Sequence, residues 1–144
     1  MGPARQSIRV SVGDDPIDGG ALLAEVGRPD SGATVLFLGT VRDHSVGKEG
    51  VTHLEYEVFA ERVEPQIKKI VEEASSRWPV LSAVVEHRSG FVDLGEASVA
   101  VVVSCAHRSD SFAAARFIID ELKQRAPIWK KEHWPGGAEW SPGS

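Results

Sequence analysis

The spacing of apolar positions changes several times along the chain, and each change predicts an element. In SIRVSV, Ile8, Val10 and Val12 alternate with polar residues as in a short strand, and in DGGALLAEVG the positions of Leu22, Leu23 and Val26 predict a short helix. RPDSG interrupts the pattern, and ATVLFLGTV (33–41) is a nearly continuous apolar run that predicts a buried strand. RDHSVGKEG (42–50) reads as a polar, glycine-punctuated loop. Beyond it Leu54, Tyr56 and Val58 alternate with Glu55 and Glu57, a strand with one wet face. From Ala60 to Trp78, Val63, Ile67, Ile70, Val71 and Ala74 recur at helical spacing, with Pro65 tolerable if it lies in the first turn.

VLSAVVEHRSG and EASVAVVVSCAH predict two further strands joined by FVDLGE, with a turn at Gly95-Glu96 and the second strand fully buried. Ser109, Asp110 and Ser111 offer N-caps for a helix running to about Gln124, its inner face formed by Phe112, Ala115, Ile118, Ile119 and Leu122, and Pro127 ends it. PIWKKEHW is too short for a helix and suits an extended stretch or strand. Strands and helices interleave, but the hairpin-like strand pairs break the rhythm of a parallel doubly wound sheet. The expectation is a single α+β domain (1–144) with a mixed or antiparallel sheet covered by helices.

Composition narrows the function classes. A chain of 144 residues can bury one core without staples, and none of its apolar runs approaches the roughly 20 residues that span a bilayer. A net charge of −5 argues against broad nucleic-acid binding, so any anion site must be local. MGPARQSIRV lacks the apolar region of a secretory signal and Cys105 is the lone cysteine, which together lead to the expectation of a reducing cytoplasm. Cys105 lies in an apolar run and reads as a buried structural thiol. His44, His53, His87, His107 and His133 include no pair at zincin spacing, and the glycine clusters match neither nucleotide-binding fingerprint, so neither metal nor cofactor is expected.

The polar residues that follow element ends carry more information. Arg42 comes just after one apolar strand, His107 and Arg108 after another, and Lys123 at the close of a helix, with Lys130 and Lys131 soon after. Arg, His and Lys together suit a phosphate or carboxylate. Each also has a plainer reading: solvated surface for Arg42, a helix-start role for His107 and Arg108, complementing the helix macrodipole for Lys123. In an extended segment Lys130 shares a face with Ile128 and Glu132 while Lys131 shares one with Trp129. Apolar neighbours desolvate at least one of the pair, which lowers an ammonium pKa and suits acid–base work.

FLGTVRDHSVGKEGVTHLEYEVF, EHRSG, SCAHRSDSFAAARFIIDELK, APIWKKE and GAEW, in that order, resemble the large, catalytic subunit of molybdopterin synthase from about Gly32 to Trp140. The resemblance implies an alpha/beta-hammerhead type of fold and a sulfurtransferase of molybdenum cofactor biosynthesis. Its substrate would be cyclic pyranopterin monophosphate (precursor Z), which receives two sulfurs as the dithiolene of molybdopterin. The sulfur would arrive as a thiocarboxylate on the C-terminal Gly-Gly of a small ubiquitin-like partner subunit. A chain closing on SPGS is not expected to be that donor, and the short tail after Trp140 puts any C-terminal role in docking the partner in doubt.

By the same resemblance Lys123 and Lys130 are the catalytic lysines, and Arg42, His107 and Arg108 form the substrate-anion pocket. Thr40, Val41, Lys131 and Glu132 match neighbouring binding positions, although relatives carry a lysine where this chain has Thr40. The family assembles as a large-subunit homodimer with a small subunit at each end, a heterotetramer whose pockets draw on both large subunits, so that Arg42 is a candidate to serve its neighbour's site. Neither nucleic acid nor membrane is implied as a partner. Two rivals remain at this stage: a non-catalytic scaffold that binds a pterin phosphate or the ubiquitin-like partner, and a hydrolase built on Cys105 and His107.

Overall fold

The computed structural model describes residues 5–45 and 48–142. Val46 and Gly47 of the predicted 42–50 loop, and the last two residues of SPGS, lie outside them. The predicted α+β class is observed, with the strands divided between two four-stranded sheets and a small hairpin rather than gathered in one sheet. The first sheet has the order β1 (Ser7–Gly13), β6 (Val80–Arg88), β8 (Ala97–Cys105), β2 (Ala33–Thr40), with β1 parallel to β6 and the other pairs antiparallel. The second has the order β10 (Gly137–Pro142), β9 (Trp129–Trp134), β5 (His53–Glu57), β7 (Gly90–Asp93), all antiparallel. β3 (His44–Ser45) and β4 (Lys48–Glu49) form the hairpin, within the segment read as loop.

Side-chain alternation on the first sheet sends two apolar sets to opposite faces. Val85, Val101 and Val103 pack against α2 (Ala60–Arg77) and α3 (Arg108–Arg125), which contribute Ile67, Ile70, Ile118 and Leu122, all fully buried. Val84, Ala100 and Val102 face the other way, onto Leu22 and Val26 of α1 (Gly19–Val26). β8 is therefore buried on both sides, as its apolar run over 99–103 predicts. β2 is only half-buried, because it is an edge strand, and its Leu38 is 39% exposed.

Several details depart from expectation. Pro65 lies in the second turn of α2, not the first, and is tolerated at an exposed position where water can reach the carbonyl it leaves without a donor. α3 begins at Arg108 with His107 as a cap that makes no side-chain bond. Ser111 faces inward instead, its hydroxyl donating to the Ala33 carbonyl at 2.9 Å, while Phe112 is exposed. Leu23 is also exposed, so α1 packs through Leu22 and Val26 alone. FVDLGE supplies residues 91–93 of β7, and GAEWSP forms β10, which sequence patterning did not reveal.

The two sheets meet where β6 turns into β7 at Gly90, whose φ of +77° is one that side-chain-bearing residues rarely adopt. Beyond this corner Val92, Leu54 and Tyr56 bring the inner face of the second sheet into the same core as α2 and α3. Arg125 pairs with Glu73, tying the end of α3 to α2 and fixing the approach to β9.

Two stability predictions follow from this packing. A Cβ at Gly32 would sit 2.2 Å from the Ala106 carbonyl oxygen, a backbone atom that cannot move aside cheaply. Gly32→Ala should therefore cost about 1–3 kcal/mol in denaturant unfolding; an unchanged midpoint would contradict the packing. His87 is 2% exposed, its Nδ1–H donates to the Arg88 carbonyl, and burial pushes its pKa down to about 4. Its unfolded pKa near 6.5 is higher, so the unfolded chain binds the extra proton between these values. This contribution to stability is complete above about pH 6.5 and is lost as pH falls through 4, about 3 kcal/mol in all. The difference between wild type and His87→Gln in unfolding free energy from pH 7 to pH 4 should show that slope.

Candidate active site

The closing corner of the two sheets leaves a cavity of about 320 Å3. β2 contributes Phe37, Gly39 and Thr40 to its wall, and the segment after β2 adds Arg42 and His44. The start of β8 supplies Ser98 and Val99, and β5 supplies Leu54 and Tyr56. Lys123 comes from the last turn of α3, and Lys130 and Glu132 come from β9. Three permanently or ordinarily cationic side chains, Arg42, Lys123 and Lys130, thus face one carboxylate in a protein whose net charge is −5.

The sequence brings the lysines together in a simple way. α3 must stop at Pro127, Ile128 is buried as an anchor, and the chain reverses into β9 with alternating sides. Lys130 and Glu132 therefore turn inward, while Lys131 turns outward to lie with its Nζ 5.5 Å from the Trp140 ring centre. Glu132 is only 6% exposed. Lys123 is exposed and Lys130 half-buried, so the cavity has one lysine near solvent and one at the sheet.

Of the residues singled out from sequence, Thr40, Arg42, Lys123, Lys130 and Glu132 line this cavity. Val41 does not: it is 3% exposed, its N–H donates to Glu96 and its carbonyl accepts from Gly95. His107 and Arg108 are exposed at the opposite end of α3 from Lys123, roughly 22 Å away at the helical rise of 1.5 Å per residue. The antiparallel β2–β8 register agrees, since Thr40 pairs with Ala97 whereas Cys105, just before His107, pairs with Ala33. Arg42 shares its own chain's cavity with Lys123.

Three cavity residues with polar side-chain groups, Tyr56, Ser98 and His44, escaped the sequence reading. Tyr56 follows the alternation of β5 and so counted as core, which it also is. Ser98 is a buried hydroxyl within an apolar strand, and that polar interruption was the available signal. His44 holds Asp43, Nδ1 to carboxylate at 2.8 Å, and this hydrogen bond lowers the Asp43 pKa.

Cys105 is fully buried, and that burial pushes its thiol pKa up, so the thiolate needed for a nucleophile is disfavoured. No group of three or more His, Cys, Asp or Glu side chains able to hold a metal occurs among the described residues. Among the same residues no helix is long and apolar enough to cross a membrane.

Comparison with known proteins agrees with the fold. The sequence profile of the family described as MoaE protein matches residues 12–125, ending short of Lys130. The molybdopterin synthase catalytic subunit of Thermoplasma volcanium is 48% identical over 118 residues, covering 82% of this chain and 83% of the relative. The crystal structure of molybdopterin synthase from Staphylococcus aureus superposes with a TM-score of 0.85 at 30% identity, covering 92% of this chain and 96% of the other. A protein-protein complex of subunits 1 and 2 of molybdopterin-converting factor from Helicobacter pylori shares the fold, with a TM-score of 0.71 at 20% identity over 93% of this chain and 89% of that one. The profile match over most of the chain, the high identity to a curated relative and the close superposition together show that this chain belongs to the MoaE protein family.

Proposed function

We propose that this chain is the catalytic subunit of a molybdopterin synthase, and that its cavity is where precursor Z receives sulfur from a small partner subunit. The observation that carries the reading is the convergence of Lys123, Lys130 and Arg42, from a helix end, a strand and a loop, on one cavity. The volume of about 320 Å3 suits a fused-ring small molecule, being at the lower end of the range for ligand sites. The cationic excess suits the cyclic phosphate, to which an arginine fork can donate two parallel hydrogen bonds.

The sulfur comes from outside, in keeping with the buried, protonated state of the only thiol. In each of two transfers a thiocarboxylate sulfur bonds to a pterin carbon as that carbon's oxygen leaves as water, and a second water then cleaves the acyl C–S bond, leaving the sulfur on the pterin and releasing the partner as its carboxylate. In this scheme the exposed Lys123 protonates departing oxygens or holds the partner's terminal carbonyl, and the half-buried Lys130 orients the thiocarboxylate or the phosphate. Glu132 keeps the lysines from repelling one another without cancelling the local positive charge.

His107 and Arg108 enter this scheme through a second copy of the chain. A residue about 22 Å from its own cavity can reach a neighbour's across a two-fold axis, where each subunit lends to the other what it receives. The assembly proposed is a homodimer of large subunits with a small subunit at each end.

The test is conversion of precursor Z to molybdopterin by the purified chain with a thiocarboxylated small subunit. Lys123→Ala should lower the rate by at least about 100-fold with partner affinity nearly unchanged. A wild-type chain that binds the partner tightly and yields no product would show a scaffold. Co-expression of Lys123→Ala chains with His107→Ala/Arg108→Ala chains should restore about one quarter of the sites, because half the dimers are mixed and each mixed dimer rebuilds one complete pocket. Failure of mixed dimers to regain activity would place His107 and Arg108 outside the shared site.

A further inference from the structure

Tyr56 is the only tyrosine in the chain, and it occupies the junction between the two sheets where the cavity forms. In the β5–β9 register it stands directly opposite Lys130, and in the β5–β7 register opposite Gly90, which offers no side chain. Its ring is 5.0 Å from that of His87 at 80°, an edge contact to a residue of the other sheet. Its hydroxyl is hydrogen-bonded to Ser98 of β8, and the Ser98 hydroxyl in turn donates to the Gly39 carbonyl at 3.3 Å. One line of contacts therefore runs from β5 through β8 to the end of β2, just ahead of Thr40 and Arg42.

The bond to Ser98 lowers the phenol pKa, so it favours the ionised oxygen. Tyr56 and Lys130 stand opposite one another across the β5–β9 pair, and both line the cavity. Burial raises the phenol pKa, the Ser98 hydrogen bond offsets part of the rise and the Glu132 carboxylate adds to it, so the hydroxyl keeps its proton at neutral pH. For packing alone, phenylalanine would fill the same space without a buried hydroxyl to satisfy.

We propose that Tyr56, braced by His87 and hydrogen-bonded to Ser98, is a positioning residue that orients Lys130 in the cavity and holds the lysine in register with the β2 end that carries Arg42. The inference deepens the synthase reading and rests on it for its kinetic effect, whereas its geometric part stands apart from turnover. Tyr56 acts through Lys130 and need not touch substrate.

Two measurements decide it. In the reconstituted synthase, Tyr56→Phe should lower kcat about tenfold while KM for precursor Z and affinity for the small subunit stay within twofold. Ser98→Ala should do the same, and the double variant should be no slower than the slower single one, because both break one contact line. Full kcat in a folded Tyr56→Phe overturns the proposal, as does a loss confined to KM. The second measurement needs no activity: ultraviolet absorbance follows ionisation of the single tyrosine directly. Replacing Lys130 with Met should move that titration to higher pH, because a nearby cation favours the phenolate. An unmoved titration overturns the proposal even if every variant is slow. Absence of product from the wild type would count against the synthase reading, and the titration would still decide this one.

Discussion

Burial of the small sheet's inner face against the helices of the large sheet is the interaction on which the remaining architecture depends. Leu54, Tyr56, Val92 and Ile128 join the core that already holds Ile67, Ile118 and Leu122. Side chains of this kind contribute roughly 1.5–3 kcal/mol each when fully buried, so even a few outweigh mutual repulsion among cavity cations, about 1 kcal/mol per close pair where water screens them. The apolar contacts can therefore hold Arg42, Lys123 and Lys130 together against their charge. They also leave the cavity at the edge of the core, where one lysine is near solvent and another is partly shielded.

Local charge and global charge have different consequences here. A net charge of −5 keeps anions from accumulating over the whole surface, while the cavity presents three cations to one carboxylate. Such focusing favours a small phosphate-bearing ligand over a long polyanion, which needs an extended basic stripe. Glu132, 6% exposed, sets the balance by its position on β9 between the inward turns of the strand.

Sequence pattern revealed the long elements, where the physical signal is repeated many times. β8 shows its double burial in the apolar run over 99–103, and α2 shows its inner face in five regularly spaced residues. The division into two sheets was hidden, since it depends on a single corner at Gly90, which read as the end of a strand, and on the four-residue β7, the rest of which read as a connection. β10 was hidden for another reason: residues 137–140 are exposed and show no apolar alternation, and pairing with β9 rather than an apolar face makes it a strand. Phe112 misled because one buried serine, Ser111, takes the inward position beside it.

Within the site, Lys130 and Glu132 were legible because parity in a strand is a strict rule, and the apolar Ile128 on the same side marked the inward face. Position after an element end did not say which end of the sheet was meant, so Arg42 and His107 looked alike although the antiparallel register separates them. The central claim is that one cavity, completed across a two-fold axis, holds the phosphate-bearing pterin. A crystal structure of the protein with precursor Z bound tests it most directly. The account predicts the phosphate within ion-pair distance of Arg42 and of His107 and Arg108 from the second copy, with Lys123 and Lys130 lining the same pocket. A pterin bound away from Lys123 and Lys130, or enclosed by one chain alone, would contradict it.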